Sequence, residues 1–114
     1  MSEPPRYQVV IEEAAEADLT SITDFMEQHY SVEAADAFLV RLLDRIDSLE
    51  QFPFRGAVPK ELQEFDEDAY RQLVSGNHRV FYRVDGEVVT VVLVADGRRD
   101  MRSLLTARLL APSR

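Results

Sequence analysis

The chain has 114 residues, 46% of them hydrophobic and 30% charged, with a formal net charge of −8. That composition suits one compact soluble domain over residues 1–114 and excludes a wholly disordered chain. The absence of cysteine excludes a disulfide framework, a thiolate nucleophile and cysteine-ligated metal centres.

No apolar stretch is long enough to cross a bilayer. Met1 to Pro5 carries neither the basic nor the apolar segment of a secretory signal, so a cytoplasmic location is expected. The acidity also argues against a general nucleic-acid binder. It is unevenly spread, however. Residues 1–68 hold 5 Lys+Arg against 17 Asp+Glu, whereas residues 69–114 hold 8 Arg against 4 Asp+Glu. Every basic group of the second part is an arginine, whose planar fork suits phosphate or carboxylate.

Tyr7 to Ile11 is short and β-rich after Pro4-Pro5, and reads as a first strand. From Glu13, Ala15, Leu19, Ile22, Met26 and Tyr30 recur at helical spacing, with Phe25 beside them. Ser31 is a candidate N-cap for a second helix. Its apolar face is Ala35, Phe38, Leu39, Leu42, Ile46 and Leu49, and Pro53 stops it. Two helices joined so tightly should form an antiparallel hairpin.

Residues 52–68 read as an irregular loop ending in the acidic Asp66-Glu67-Asp68, a solvated run. The period then becomes two. Tyr70–Ser75 and His78–Val84 read as strands around Gly76-Asn77, and Asp85-Gly86 marks a hairpin to Glu87–Ala95. That last strand is so rich in β-branched residues that burial on both faces is expected. Met101, Leu104, Leu105, Leu109 and Leu110 suit a short C-terminal helix. The expected fold is α+β, in the order β-α-α-β-β-β-α, with a helical hairpin packed on an antiparallel sheet.

Neither a glycine-rich phosphate loop nor a metal-ligand spacing nor a nucleophile elbow is present, and no cofactor or metal is expected. His29 suits a helix C-terminus. His78 titrates near neutrality and could move a proton, although a solvent-facing hairpin residue is the plainer reading. Asp100 reads as a first-turn helix charge. Tyr70, Phe81 and Tyr82 read as packing. The arginines are more suggestive. Alternation puts Arg79, Phe81 and Arg83 on one sheet face and Val80, Tyr82 and Val84 on the other. On the preceding strand Arg71 and Leu73 share a face. Were that the same face, Arg71, Arg79 and Arg83 would form an anion site joined by Arg98 and Arg99.

Several segments, in order, carry a resemblance. They are Ala17-Asp18-Leu19 with Ile22, Leu49…Phe52-Pro53…Gly56, Tyr70-Arg71-Gln72-Leu73, Arg79-Val80-Phe81-Tyr82-Arg83-Val84, and Val94…Gly97-Arg98-Arg99-Asp100. Together, from about Tyr7 to Leu110, they resemble the RelE/ParE superfamily of type II toxin–antitoxin toxins. The resemblance implies a growth inhibitor held inactive by a cognate antitoxin in a hetero-oligomer.

RelE-like members cleave mRNA on the ribosome with basic groups on the sheet and a C-terminal tyrosine. ParE-like members are not nucleases; they inhibit DNA gyrase. Arg79 and Arg98 match RelE arginines. The usual strand lysine falls at Leu73, and the tyrosine falls near Leu104 or Leu105. Those departures favour the ParE side. The expected target- or antitoxin-tail-binding residues are Arg71, His78, Arg79, Arg83, Arg98 and Arg99, with no catalytic residue. The alternatives are a ribosome-dependent mRNA endonuclease using His78 as proton carrier, and a non-toxic partner-binding relative.

Overall fold

A computed structural model describes residues 6–63 and 70–109. The acidic run Asp66-Glu67-Asp68, the chain start at residues 1–5 and Leu110 lie outside the described residues. Strand β1 (Gln8–Ile11) leads into helices α1 (Glu13–His29) and α2 (Val32–Asp47). Ser31 caps α2 as expected, its hydroxyl accepting from the Ala34 N–H at 3.0 Å. A 3₁₀ turn, Ser48–Glu50, continues α2. The segment read as wholly irregular contains a short helix, α3 (Lys60–Gln63), and an isolated bridge between Ala57 and Gln72. Strands β2 (Tyr70–Ser75), β3 (His78–Asp85) and β4 (Val88–Asp96) and helix α4 (Met101–Leu109) follow.

The sheet order is β1-β4-β3-β2. Strands β2, β3 and β4 form the expected antiparallel meander, with Gly76 and Gly86 supplying positive φ at the two turns. Register Asp85↔Val88 makes Gly86-Glu87, not Asp85-Gly86, the turn pair. Strand β1 adds to β4 in parallel, Gln8 opposite Val88. The sheet is therefore mixed rather than purely antiparallel. The helical hairpin accounts for this, because it returns the chain to the same end of the sheet before the meander starts.

β4 is buried on both faces, as its composition demanded. One face carries Val89, Val91 and Val94, which join Leu73, Val80 and Tyr82 under Ala15, Leu19, Phe38, Leu42 and Ile46 of the hairpin. The other carries Val92, Leu93 and Ala95, which join Phe81 under Leu62 of α3 and Met101 and Leu105 of α4. A bulge makes this possible. Phe81 pairs with Leu93 but Tyr82 pairs with Val91, so Val92 is an extra residue and turns to the second face beside Leu93.

Tyr30, expected on the buried stripe of α1, ends the helix instead and is 72% exposed. Phe25 is 53% exposed. No described helix is long and apolar enough to cross a membrane.

Candidate functional site: arginines divided between two faces and a cleft

Strand register decides where the arginines point. Arg71 stands opposite Tyr82, while Gln72 stands opposite Phe81. Directly opposed residues share a face, so Arg71 and Leu73 lie on the helix side and Arg79, Phe81 and Arg83 on the other. The single face with Arg71, Arg79 and Arg83 together does not form; alternation fixed each strand's own pattern but not the phase between strands.

Each of the three is also engaged within the chain. Arg71 Nη1 donates to the Gly56 carbonyl at 2.8 Å and lies 5.2 Å over the Phe54 ring. Arg79 makes a two-pronged bond to Glu61 of α3, both contacts at 2.9 Å, and its Nε donates to Gln72 Oε1 at 2.6 Å. Its guanidinium rests 4.8 Å over Phe81. That bond holds the Glu61 carboxyl below the usual carboxylate range. Arg83 donates to Asp85 at 2.8 Å and to Glu12 at 3.1 Å.

The remaining three candidates meet at a cleft of about 660 Å³. Ile22, Phe25, Met26 and Tyr30 form its α1 wall, and His78, Asp96, Arg98 and Arg99 form the sheet end opposite. Arg98 is 86% exposed, with its guanidinium and backbone N–H both on Asp96. Those bonds hold the Asp96 carboxyl well below the usual range. Among the described residues Arg99 makes no ion pair; its backbone N–H donates to the Asp96 carbonyl.

His78 is not the solvent-facing residue expected from the hairpin. Its ring is half-buried, 4.7 Å from that of Phe38. Burial lowers its pKa, Asp96 opposes the shift and Arg98 adds to it. Burial thus favours the neutral imidazole. His29 stays at the α1 terminus, bonded to the Phe25 carbonyl at 3.0 Å. Asp100 caps α4, accepting from the Ser103 N–H and hydroxyl. Among the described residues no group of three or more His, Asp or Glu is placed to hold a metal.

The positions at which the chain departs from the RelE resemblance are set in the packing. Leu73, where the RelE resemblance puts a lysine, is 4% exposed beneath the hairpin; of the two positions near which it puts the tyrosine, Leu105 of α4 is 1% exposed and Leu104 is half-buried. The Leu73 and Leu105 side chains are core.

Sequence reasoning missed the polar pairs that join distant elements. Asp18 takes Arg108 of α4 in a fork at 2.9 and 3.0 Å and accepts from the Val94 N–H at 3.0 Å. Arg108 also donates to the Val92 carbonyl at 2.7 Å. Strand β1 ends opposite Val91, so these side chains serve the β4 edge that β1 leaves open. The signal was present only in Asp18, a charge on the inward side of an apolar stripe.

This fold, a helical hairpin on one face of a four-stranded mixed sheet with short helices on the other, has solved counterparts. The chromosomal ParDE toxin–antitoxin system of P. aeruginosa contains a chain that superposes with a TM-score of 0.68 at 20% identity. The match covers 80% of this chain and 96% of that one. A chain of the toxin–antitoxin complex RelBE2 from Mycobacterium tuberculosis gives 0.55 at 19% identity, covering 84% and 97%.

The family described as "ParE toxin of type II toxin-antitoxin system, parDE" matches residues 9–101. Toxin ParE1 of M. tuberculosis is 35% identical over 89 residues, 77% of this chain and 87% of that protein. Toxin ParE1 of Caulobacter vibrioides is 33% identical over 91 residues, 80% and 90%. The chain belongs to the ParE toxin family of type II toxin–antitoxin systems.

Proposed function

We propose that this toxin inhibits DNA gyrase without catalysing a reaction of its own, acts in the cytoplasm, and is neutralised by direct binding of its cognate antitoxin. The observation that carries the non-catalytic reading is that the positions in question are leucines set in the packing, Leu73 and Leu105 buried and Leu104 half-buried against the same core as Leu105. RNA cleavage by attack of a 2′-hydroxyl needs a base and an acid, each contributing about 10²–10⁴-fold. A core leucine offers neither, and cannot be turned outward without opening the core. The internal engagement of Arg79 agrees with this, since gripping a phosphate there requires displacing Glu61.

The target- or tail-binding role is proposed for the six residues in two sets. His78, Arg98 and Arg99 open on the cleft, where an acidic antitoxin segment or the target would meet them. Arg71, Arg79 and Arg83 take part only by exchanging an internal partner.

One observation favours the endonuclease instead. His78, whose neutral form burial favours, lines the cleft with Arg98, a base near a phosphate-type cation. Pulse labelling separates the readings. On induction without antitoxin, gyrase inhibition should cut thymidine incorporation before methionine incorporation, and His78→Ala should stay toxic. Early loss of methionine incorporation, abolished by His78→Ala, would give the protein to the nuclease class. No change in either label would make it a non-toxic binding relative.

A further inference from the structure

Strand β1 ends opposite Val91, so the rest of β4, from Val92 to Asp96, has no strand on that side. Alternation decides which of its backbone groups look outward. The Gly97 N–H donates to the Asn77 carbonyl, toward β3, whereas the Val94 N–H donates to Asp18, away from β3. Val94 and Asp96 therefore turn their backbone groups to the open edge, and Ala95 turns its own to β3. Asp18 covers the Val94 N–H and Arg108 covers the Val92 carbonyl. The cover stops there. Among the described residues neither a strand nor a side chain is bonded to the Val94 carbonyl or the Asp96 N–H on that edge.

This bare stretch borders the cleft. Val94, Ala95 and Asp96 all line it, although Val94 packs toward the helical hairpin and Ala95 toward α4. Successive side chains on opposite faces line one cavity where that cavity meets the strand's edge. Across from the edge stand Ile22, Met26 and the exposed rings of Phe25 and Tyr30, an apolar wall of the kind that marks a binding surface. Beyond the strand end, Arg98 is spent on Asp96, whereas Arg99 has no carboxylate among the described residues.

An unpaired backbone donor and acceptor, an apolar wall and one free cation together select an extended peptide that alternates apolar and acidic residues. A helix cannot use the edge, because its own backbone groups are already bonded within it. We propose that the cleft takes an extended segment of the antitoxin as a short added strand beside β4. One N–H of that segment donates to the Val94 carbonyl, and one of its carbonyls accepts from the Asp96 N–H. Its apolar side chains face α1 and an acidic one reaches Arg99. The Asp18–Arg108 fork confines the pairing to this end of β4. The inference rests on the cleft being where the antitoxin meets the toxin, and not on gyrase being the target.

The test titrates the blocked peptide acetyl-Leu-Glu-Leu-Glu-Leu-amide into the full chain, labelled with ¹⁵N by cell-free synthesis. The Asp96 amide should shift, and its exchange with solvent should slow about tenfold. Two versions of the peptide, N-methylated on alternate residues, should differ in affinity by about tenfold, since only one set of amides faces β4. Phe25→Ala, at an exposed ring, should weaken binding about fivefold, and Arg99→Gln about threefold. Both side chains lie outside the core, and the amide spectrum shows that each variant stays folded. Phe25 and Tyr30 resonances that move while the Asp96 amide does not, or equal affinity of the two methylated versions, overturn the added strand but keep the cleft as the antitoxin's seat. A peptide that moves no cleft resonance overturns both.

Discussion

The Tyr82 side chain is fully buried, and its hydroxyl accepts from the Gly56 N–H at 3.0 Å. Burial raises its pKa, so the phenol stays protonated across the working range. Tyr82→Phe leaves the Gly56 N–H without that acceptor and should cost about 1–3 kcal/mol by chemical denaturation. Gly56→Ala should cost more, because a Cβ there would stand 2.5 Å from the Gln72 carbonyl oxygen and 2.6 Å from the Tyr82 hydroxyl. Both partners are fixed by the sheet, so the loop would have to lift off β2.

Glu61 offers a different test at the same scale. Its pKa is lowered in the fold, so its contribution is complete above the unfolded carboxylate range and is lost as pH falls through the folded value. Glu61→Gln should lower stability by about 1.5–3 kcal/mol at pH 7. The gap from wild type should close in acid. A gap that stays constant down to pH 3 would mean that the ion pair contributes nothing. His78 pushes the same way, since a base with a lowered pKa also withdraws stability as pH drops.

Helix α4 is held at one end by apolar contacts of Met101 and Leu105 and at the other by Arg108 on Asp18. Apolar burial on so short a helix is small, so the fork decides whether its last turn stays docked. Arg108→Ala should speed amide exchange across α4 by about an order of magnitude or more while leaving β3 unchanged, since local opening there is cheaper than global unfolding. Asp18→Asn should do the same and also loosen the Val94 N–H. If α4 and β3 accelerate together, the pair supports the whole fold rather than the helix.

At this scale the sequence was legible where the signal was local. Periodicity gave both long helices, the two Gly turns gave the meander, and the β-branched run of β4 announced a strand covered on both sides. Partners far apart in the chain left no such signal. Arg71 and Arg79 looked like neighbours on one face because alternation within a strand says nothing of the register between strands. Glu61 was one carboxylate in an acidic loop until α3 carried it to Arg79. The cleft was hidden because Phe25 and Tyr30 read as ordinary members of an apolar stripe.

For the molecule as a whole, the charge split takes spatial form. The outer faces of α1 and α2 carry Glu13, Glu16, Asp24, Glu27 and Asp36, all exposed. Cationic groups of the sheet end and of α4 sit at the cleft or close internal pairs. A long-range field of this sign repels a phosphate backbone and attracts a basic partner. Supercoiling by purified gyrase should therefore be inhibited more strongly at low than at moderate salt if the acidic helical face meets a basic surface of the enzyme, and inhibition that does not change with salt would place apolar contacts first. His78→Ala, which removes a half-buried ring, should leave that inhibition intact at saturating toxin.

The parallel strand at the sheet's edge has a further consequence, for the order of events after synthesis. β1 is made well before its partner β4, with Gln8 waiting for Val88. The helical hairpin can form early from local contacts, but the core beneath it cannot close until the meander exists. Contacts so distant in sequence make folding slow relative to a helical bundle of the same size. A newborn chain therefore spends its longest pre-native interval with the apolar stripes of α1 and α2 uncovered. Any partner that recognises those stripes competes with the chain's own β4 for them, and can capture the toxin before it has ever been active.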